Sequence, residues 1–123
     1  MTATDDAWAQ ERGIGYEDLT TKVAEALGWT NIRQSESGGL VGYKGGNPKE
    51  QRLVPPFASN PSACFGPVGP VEWLTQNTWW SLDYDPREGW SASWFDADGE
   101  PRGRLGASPT EAICEAFLEA VKQ

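Results

Sequence analysis

The chemistry open to this 123-residue chain is narrowed first by an absence, because it contains no histidine. That removes Ser-His-Asp triads, Cys-His pairs, histidine-ligated zinc or iron, and the side chain that most often moves protons near neutral pH. Two cysteines, Cys64 and Cys114, stand fifty positions apart without metal-ligand spacing, and two thiols alone do not complete a structural zinc site. Phosphate cradles are missing as well: Gly13-Ile14-Gly15 has no third glycine and no strand before it, and no Gly-Lys-Ser/Thr occurs. No catalytic residue, metal ligand or cofactor is therefore assigned from the sequence.

Two constellations survive this elimination. The first is a set of carboxylates, Asp83, Asp85, Glu88, Asp96, Asp98 and Glu100, gathered around two turns. They could hold a hard cation or act as an acid–base pair. Asp96-Ala97-Asp98-Gly99 begins like a calcium loop, but the closing glutamate does not follow, and an Asp/Gly turn accounts for it. The wider set reads as a solvated loop rim. The second constellation is aromatic plus arginine. Trp79 and Phe95 are expected to share a sheet face with Arg102 or Arg104, with Arg87 at a hairpin tip. Stacking rings beside guanidinium groups suit either a nucleotide-like small molecule or a protein hot spot. Trp79, Arg87, Phe95, Arg102 and Arg104 are thus the candidate binding residues. In the competing reading a helix covers this face and its aromatics are core.

Charge limits the partners. Eighteen acidic residues against ten basic ones give a net charge of −8, a field that repels nucleic acid and anionic membranes and attracts basic proteins. Arg102-Gly103-Arg104 is too short a basic tract for general DNA binding. No apolar run approaches the roughly 20 residues of a membrane span, and the acidic start Met1 to Asp6 does not read as a signal peptide. A soluble, intracellular protein is expected. The cysteine count suits a reducing compartment, with Cys114 a buried thiol on a helix and a single bridge to Cys64 left open.

The elements that would position these residues follow from pattern. Residues 1–15 read as a mobile arm and residues 16–123 as one domain. A helix begins at Tyr16 with Leu19, Val23, Ala26 and Leu27 on one stripe and Asp18 four residues before Lys22 on the wet side; Gly28 stops it. Short strands are expected over 29–33 and 40–43 around the Gly38-Gly39 turn. Five prolines between Pro55 and Pro70 mark a long irregular connection, followed by a short helix over 71–75. Aromatic-rich runs over 79–84 and 90–95, and a third over 102–105, predict an antiparallel meander. Period two puts Trp80, Leu82, Tyr84, Trp90, Ala92 and Trp94 on one face. The other is expected to carry Trp79, Ser81, Asp83, Ser91, Ser93, Phe95 and one or both strand arginines. Ser108-Pro109-Thr110-Glu111 is a capping box opening a last helix, with Ile113, Cys114, Phe117, Leu118 and Val121 inward and Glu111, Glu115, Glu119 and Lys122 outward. The fold class is α+β: a meander of about three to five short strands against an N-terminal and a C-terminal helix.

Several of these segments resemble one family. Trp79-Trp80-Ser81-Leu82, the run from Trp90 to Phe95, and Ser108-Pro109-Thr110-Glu111-Ala112-Ile113-Cys114 are similar to the phage ABA sandwich domain family, as are Val23 to Trp29 and Pro55-Pro56-Phe57-Ala58-Ser59. The middle departs from it, because Pro61, Gly66, Pro67, Gly69 and Pro70 interrupt the place of a longer helix. The resemblance implies an α/β/α sandwich encoded by phages or prophages, with no established activity. It points to a small accessory protein that inhibits a host process, such as antiviral defence, by stoichiometric binding of a host protein or by sequestering a nucleotide signal. A carboxylate or metal-dependent enzyme and a virion or assembly component that self-associates through its Trp-rich face are the alternatives.

Overall fold

A glycine bounds the first helix. In the computed structural model, which describes residues 18–36, 38–44 and 50–122, helix α1 covers residues 18–26 and the chain turns at Gly28 with φ +103°. The expected arm over 1–15 and the helix start at Tyr16 lie outside the described residues. Leu19, Val23 and Ala24 are buried, and Leu27 packs beside them. Ala26, expected on that stripe, is exposed, because the buried arc is rotated toward Thr20 and Ala24. Asp18 and Lys22 form the expected pair at 3.1 Å, solvated and of little energetic weight.

Among the described residues, six strands make two separate three-stranded antiparallel sheets. In the first, β1 (Trp29–Gln34), β2 (Leu40–Lys44) and β3 (Gln51–Leu53) lie in that order. A bulge between Thr30 and Arg33 places Asn31 at φ +51°, a conformation asparagine tolerates better than most residues. Strand β3 was not foreseen. It is three residues long and exposed throughout, so it carries no alternation to read.

The proline-rich segment is more regular than its composition predicts. Helix α2 (Pro61–Cys64) starts on Pro61, with the Asn60 side chain accepting from the Ser62 N–H at 2.8 Å. Helix α3 (Pro70–Asn77) starts on Pro70. Proline at the first helical position forfeits nothing, since its missing N–H would have had no intrahelical partner.

The second sheet is the expected meander. Strands β4 (Trp80–Asp85), β5 (Gly89–Phe95) and β6 (Pro101–Gly106) pair in sequence order, with Trp80 opposite Trp94, Leu82 opposite Ala92 and Tyr84 opposite Trp90. Helix α4 (Pro109–Val121) packs on β5 and β6. Its Ser108 cap accepts from the Glu111 N–H at 3.2 Å, while the Glu111 carboxylate accepts from Ala107 N–H at 3.2 Å, one residue before the usual reciprocal partner. The inward arc holds Ile113, Cys114 and Phe117 as expected. It also holds Ala112, Ala116 and Ala120, with Leu118 and Val121 only partly buried.

One hydrophobic cluster joins these parts, drawing on α1, Trp29, Val54, Phe57, Leu74, Ala92, Trp94 and α4. A polar relay crosses it: Thr110 Oγ1 donates to the Ala58 carbonyl at 2.7 Å, and the Ala58 N–H donates to Thr20 Oγ1 at 3.1 Å. Both threonines are buried, so this relay ties α1 to α4 without leaving the Ala58 backbone unpaired. The α+β architecture is therefore an N-terminal helix, two small sheets and a C-terminal helix against strands. On the meander, Trp79, Phe95 and Leu105 remain exposed.

Candidate functional site

Register decides what the outer face of the second sheet carries. The Trp79 carbonyl accepts from Phe95 N–H at 3.3 Å, extending the ladder one pair beyond Trp80 and Trp94. The Thr78 hydroxyl donates to the Phe95 carbonyl at 2.8 Å and pins the same end. Three cross-strand rows then point outward. They are Trp79, Phe95 and Pro101; Ser81, Ser93 and Gly103; and Asp83, Ser91 and Leu105. Trp79 is 83% exposed, Phe95 50% and Leu105 56%. The small middle row forms a low floor between two apolar ends, and an open hollow of about 270 Å³ lies against Trp79, Phe95 and Pro101.

The arginines go elsewhere. Arg102 stands opposite Trp94 and Arg104 opposite Ala92, so both leave the sheet on the side that α4 covers. Arg104 Nη2 meets Glu119 Oε1 of α4 at 3.1 Å, and Arg102 Nε meets Asp96 Oδ2 at 2.8 Å. The expectation that one of them shares a face with Trp79 and Phe95 is corrected by the turn over residues 96–100, whose length sets Pro101 opposite Phe95. Arg87 lies in the β4–β5 turn, its backbone N–H given to Asp85 Oδ1 at 2.7 Å. The length of β4, about 20 Å at roughly 3.4 Å per residue, separates it from Trp79. Of the five candidates, the fold thus joins Trp79 with Phe95 and disperses the arginines. Pro101 and Leu105 belong to the face and were missed, because alternation in Pro101-Arg102-Gly103-Arg104-Leu105 does not say which set points out.

The carboxylates do not converge either. Successive turns of a meander fall at opposite ends of its sheet, so Asp85 and Glu88 are a strand's length from Asp96, Asp98 and Glu100. Asp85 Oδ1 caps its own turn by accepting from Arg87 and Glu88 N–H groups. Asp96 Oδ1 accepts from the Asp98 and Glu100 N–H groups at 2.9 Å each, with Gly99 completing the turn at φ +80°. Among the described residues no group of three or more His, Cys, Asp or Glu is placed to hold a metal ion.

Asp96 is nonetheless an electrostatic pivot. The Glu100 N–H first, and then the Arg102 guanidinium, hold its carboxyl below the usual carboxylate range, and the same pair raises Arg102. A depressed carboxyl stabilises the fold above its unfolded pKa, about 3.9, and that contribution is lost as pH falls through the lower folded value. Asp96→Asn is expected to be less stable than the parent at pH 7, the gap closing below about pH 4. Urea midpoints measured from pH 7 to pH 2 check this, and a gap independent of pH contradicts it.

A second apolar hollow, of about 380 Å³, is lined by Thr20, Leu40, Leu53, Val54, Pro55 and Pro56. Among the described residues no helix is long and apolar enough to cross a membrane. No protein-family model matches this chain, and neither a curated protein nor a solved structure does.

Proposed function

We propose that this chain is a non-enzymatic binding protein that captures a protein partner on the outer face of the β4–β6 meander, with Trp79 and Phe95 as anchors. The observation that carries the reading is an indole 83% exposed beside a half-exposed phenylalanine, both held on hydrogen-bonded sheet. Scattered apolar residues on a surface need no explanation. Aromatic anchors on a rigid frame are different, because they desolvate much area on binding and little ordering entropy is lost.

Of the two ligands raised by the sequence, the protein is favoured over the nucleotide. A nucleotide on Trp79 or Phe95 needs a cation near its phosphates, and the face offers Asp83 instead, with the exposed Asp98 and Glu100 in the adjoining turn. Those carboxylates and the net charge of −8 complement a partner with an apolar centre and a basic rim. The resemblance to the phage ABA sandwich family supplies the setting: a phage- or prophage-encoded accessory protein in the bacterial host cytoplasm, inhibiting a host process, antiviral defence foremost, by stoichiometric binding.

The test is capture of a host protein at one-to-one stoichiometry by the parent and by Trp79→Ala and Phe95→Ala. Each truncation is expected to weaken the complex by about 30-fold or more while changing thermal stability little, since Trp79 is largely and Phe95 half exposed in the free protein. Equal capture by the double variant, or calorimetric uptake of a cyclic or linear nucleotide by the parent, would overturn the reading.

A further inference from the structure

The chain holds two cysteines, and the fold brings them together. Cys64 closes α2 and Cys114 lies in the second turn of α4, two helices that pack on one another. Both are 0% exposed within the same core cluster. Either cysteine alone would be a small apolar core residue. Two that meet across a fifty-residue separation make a pairing that packing does not require, since alanine or valine would fill the same helix interface.

We propose that Cys64 and Cys114 form a disulfide site that fastens α2 to α4 when the protein meets a low-molecular-weight disulfide. The thiolate of one cysteine attacks the small disulfide and expels one thiolate. The second cysteine then attacks the mixed disulfide and expels the other. Two protein S–H bonds and one external S–S bond are exchanged for one protein S–S bond and two external thiols. The two electrons pass to the small disulfide, and the two protons leave with its products.

The closed fold protects the dithiol. The hydrogen bond to Cys64, and then burial, push the Cys114 thiol far above its ordinary range, so thiolate is scarce until α2 opens. That helix is four residues long, which makes it the natural point of opening. Exchange is therefore slow in the native state and set by local unfolding. Once formed, the bond closes a loop that contains α3 and the whole meander, including Trp79 and Phe95. It thereby restricts the unfolded chain over the part of the molecule that carries the binding face.

The protein is equilibrated with excess glutathione disulfide in mildly destabilising urea, returned to buffer, and alkylated under denaturing conditions. The expected product is monomeric, two hydrogens lighter than the dithiol, without alkylatable thiol, and yields a peptide joining Cys64 to Cys114. Its melting temperature is expected to rise by roughly 10 °C and to fall back on reduction. Cys64→Ala, treated identically, takes one glutathione on Cys114 and shows no rise. The proposal is overturned if the parent ends as glutathione adducts, intermolecular dimers or free dithiol, or if the bridged form melts no higher than the reduced one.

Discussion

Phe117→Ala is expected to lower the free energy of unfolding by about 3–5 kcal/mol. Phe117 is 0% exposed and is the largest fully buried side chain of the described core. It lies on α4 and meets Trp73 of α3 edge-to-face, with ring centroids 5.5 Å apart and planes at 83°. Truncation removes the transfer energy of the ring, leaves a cavity bounded by two helices, and deletes an aromatic contact worth about 0.5–1.5 kcal/mol beyond its area. A domain of this size holds roughly 5–15 kcal/mol in all, so the variant should sit near the edge of folding. Urea denaturation at constant m-value measures the loss, and a shift below about 1.5 kcal/mol would mean that α4 does not pack as described. Phe95, on the outer face of the same meander, is the internal contrast, because its truncation leaves no cavity.

Gly106→Ala is the second large effect, and its cause is repulsion. Gly106 ends β6 on the face that α4 covers, opposite Trp90. A Cβ there would lie 2.4 Å from the Ala112 nitrogen and 2.8 Å from the Ala112 Cα. Those atoms are backbone in the first turn of α4, so no rotamer change relieves the clash and the whole helix start has to move. The movement strains the Ser108 cap and the Glu111-to-Ala107 hydrogen bond at the same place. A loss of about 1–3 kcal/mol or more is expected. Gly103 provides the control: it lies on the outer face, and a Cβ would meet Ser93 Oγ at 3.5 Å, an ordinary contact. Gly103→Ala should therefore stay within about 0.5 kcal/mol of the parent. Equal losses at the two glycines would show that β propensity, and not the approach of α4, governs β6.

The two variants probe one arrangement, in which α4 covers the inner face of β5–β6 and leaves the outer face to solvent. That arrangement leaves Trp79 and Phe95 exposed. If α4 covered Trp79 and Phe95, those rings would be core, and the arginines of β6 would form the exposed surface. The observed choice puts Arg104 against Glu119 and Arg102 against Asp96, where they serve the fold, and gives the solvent side to aromatic and small residues.

Much of this was legible because it is local. The α4 cap depends on Ser108 and Glu111, three residues apart, and the Gly28 stop on one residue's freedom to take a positive φ. The β4–β5 hairpin is similar, since a short turn fixes its register and period two then assigns Trp80, Leu82, Ala92 and Trp94 to one side. These features need no distant part of the chain. The helix start at Pro70 was read by the same logic, whereas composition obscured the one at Pro61: a proline that begins a helix looks like one that breaks it.

The rest was decided by tertiary structure. Alternation sorts a strand into two faces without saying which is buried, so the sides taken by Arg102 and Arg104 waited on the length of the 96–100 turn and the docking of α4. The carboxylates adjoin in sequence, yet the meander sends its turns to opposite ends. Cys64 and Cys114 are remote in sequence, yet the packing of α2 on α4 brings both into one core cluster. In each case the outcome rests on long-range packing and register, which hydrophobic pattern constrains in sign but not in direction. Local signals marked the α4 cap, the Gly28 stop and the strands of the meander in advance, and left β3 and α2 unread. Only the assembly of these elements determined that Trp79 and Phe95 stand in solvent, without the arginines once expected beside them.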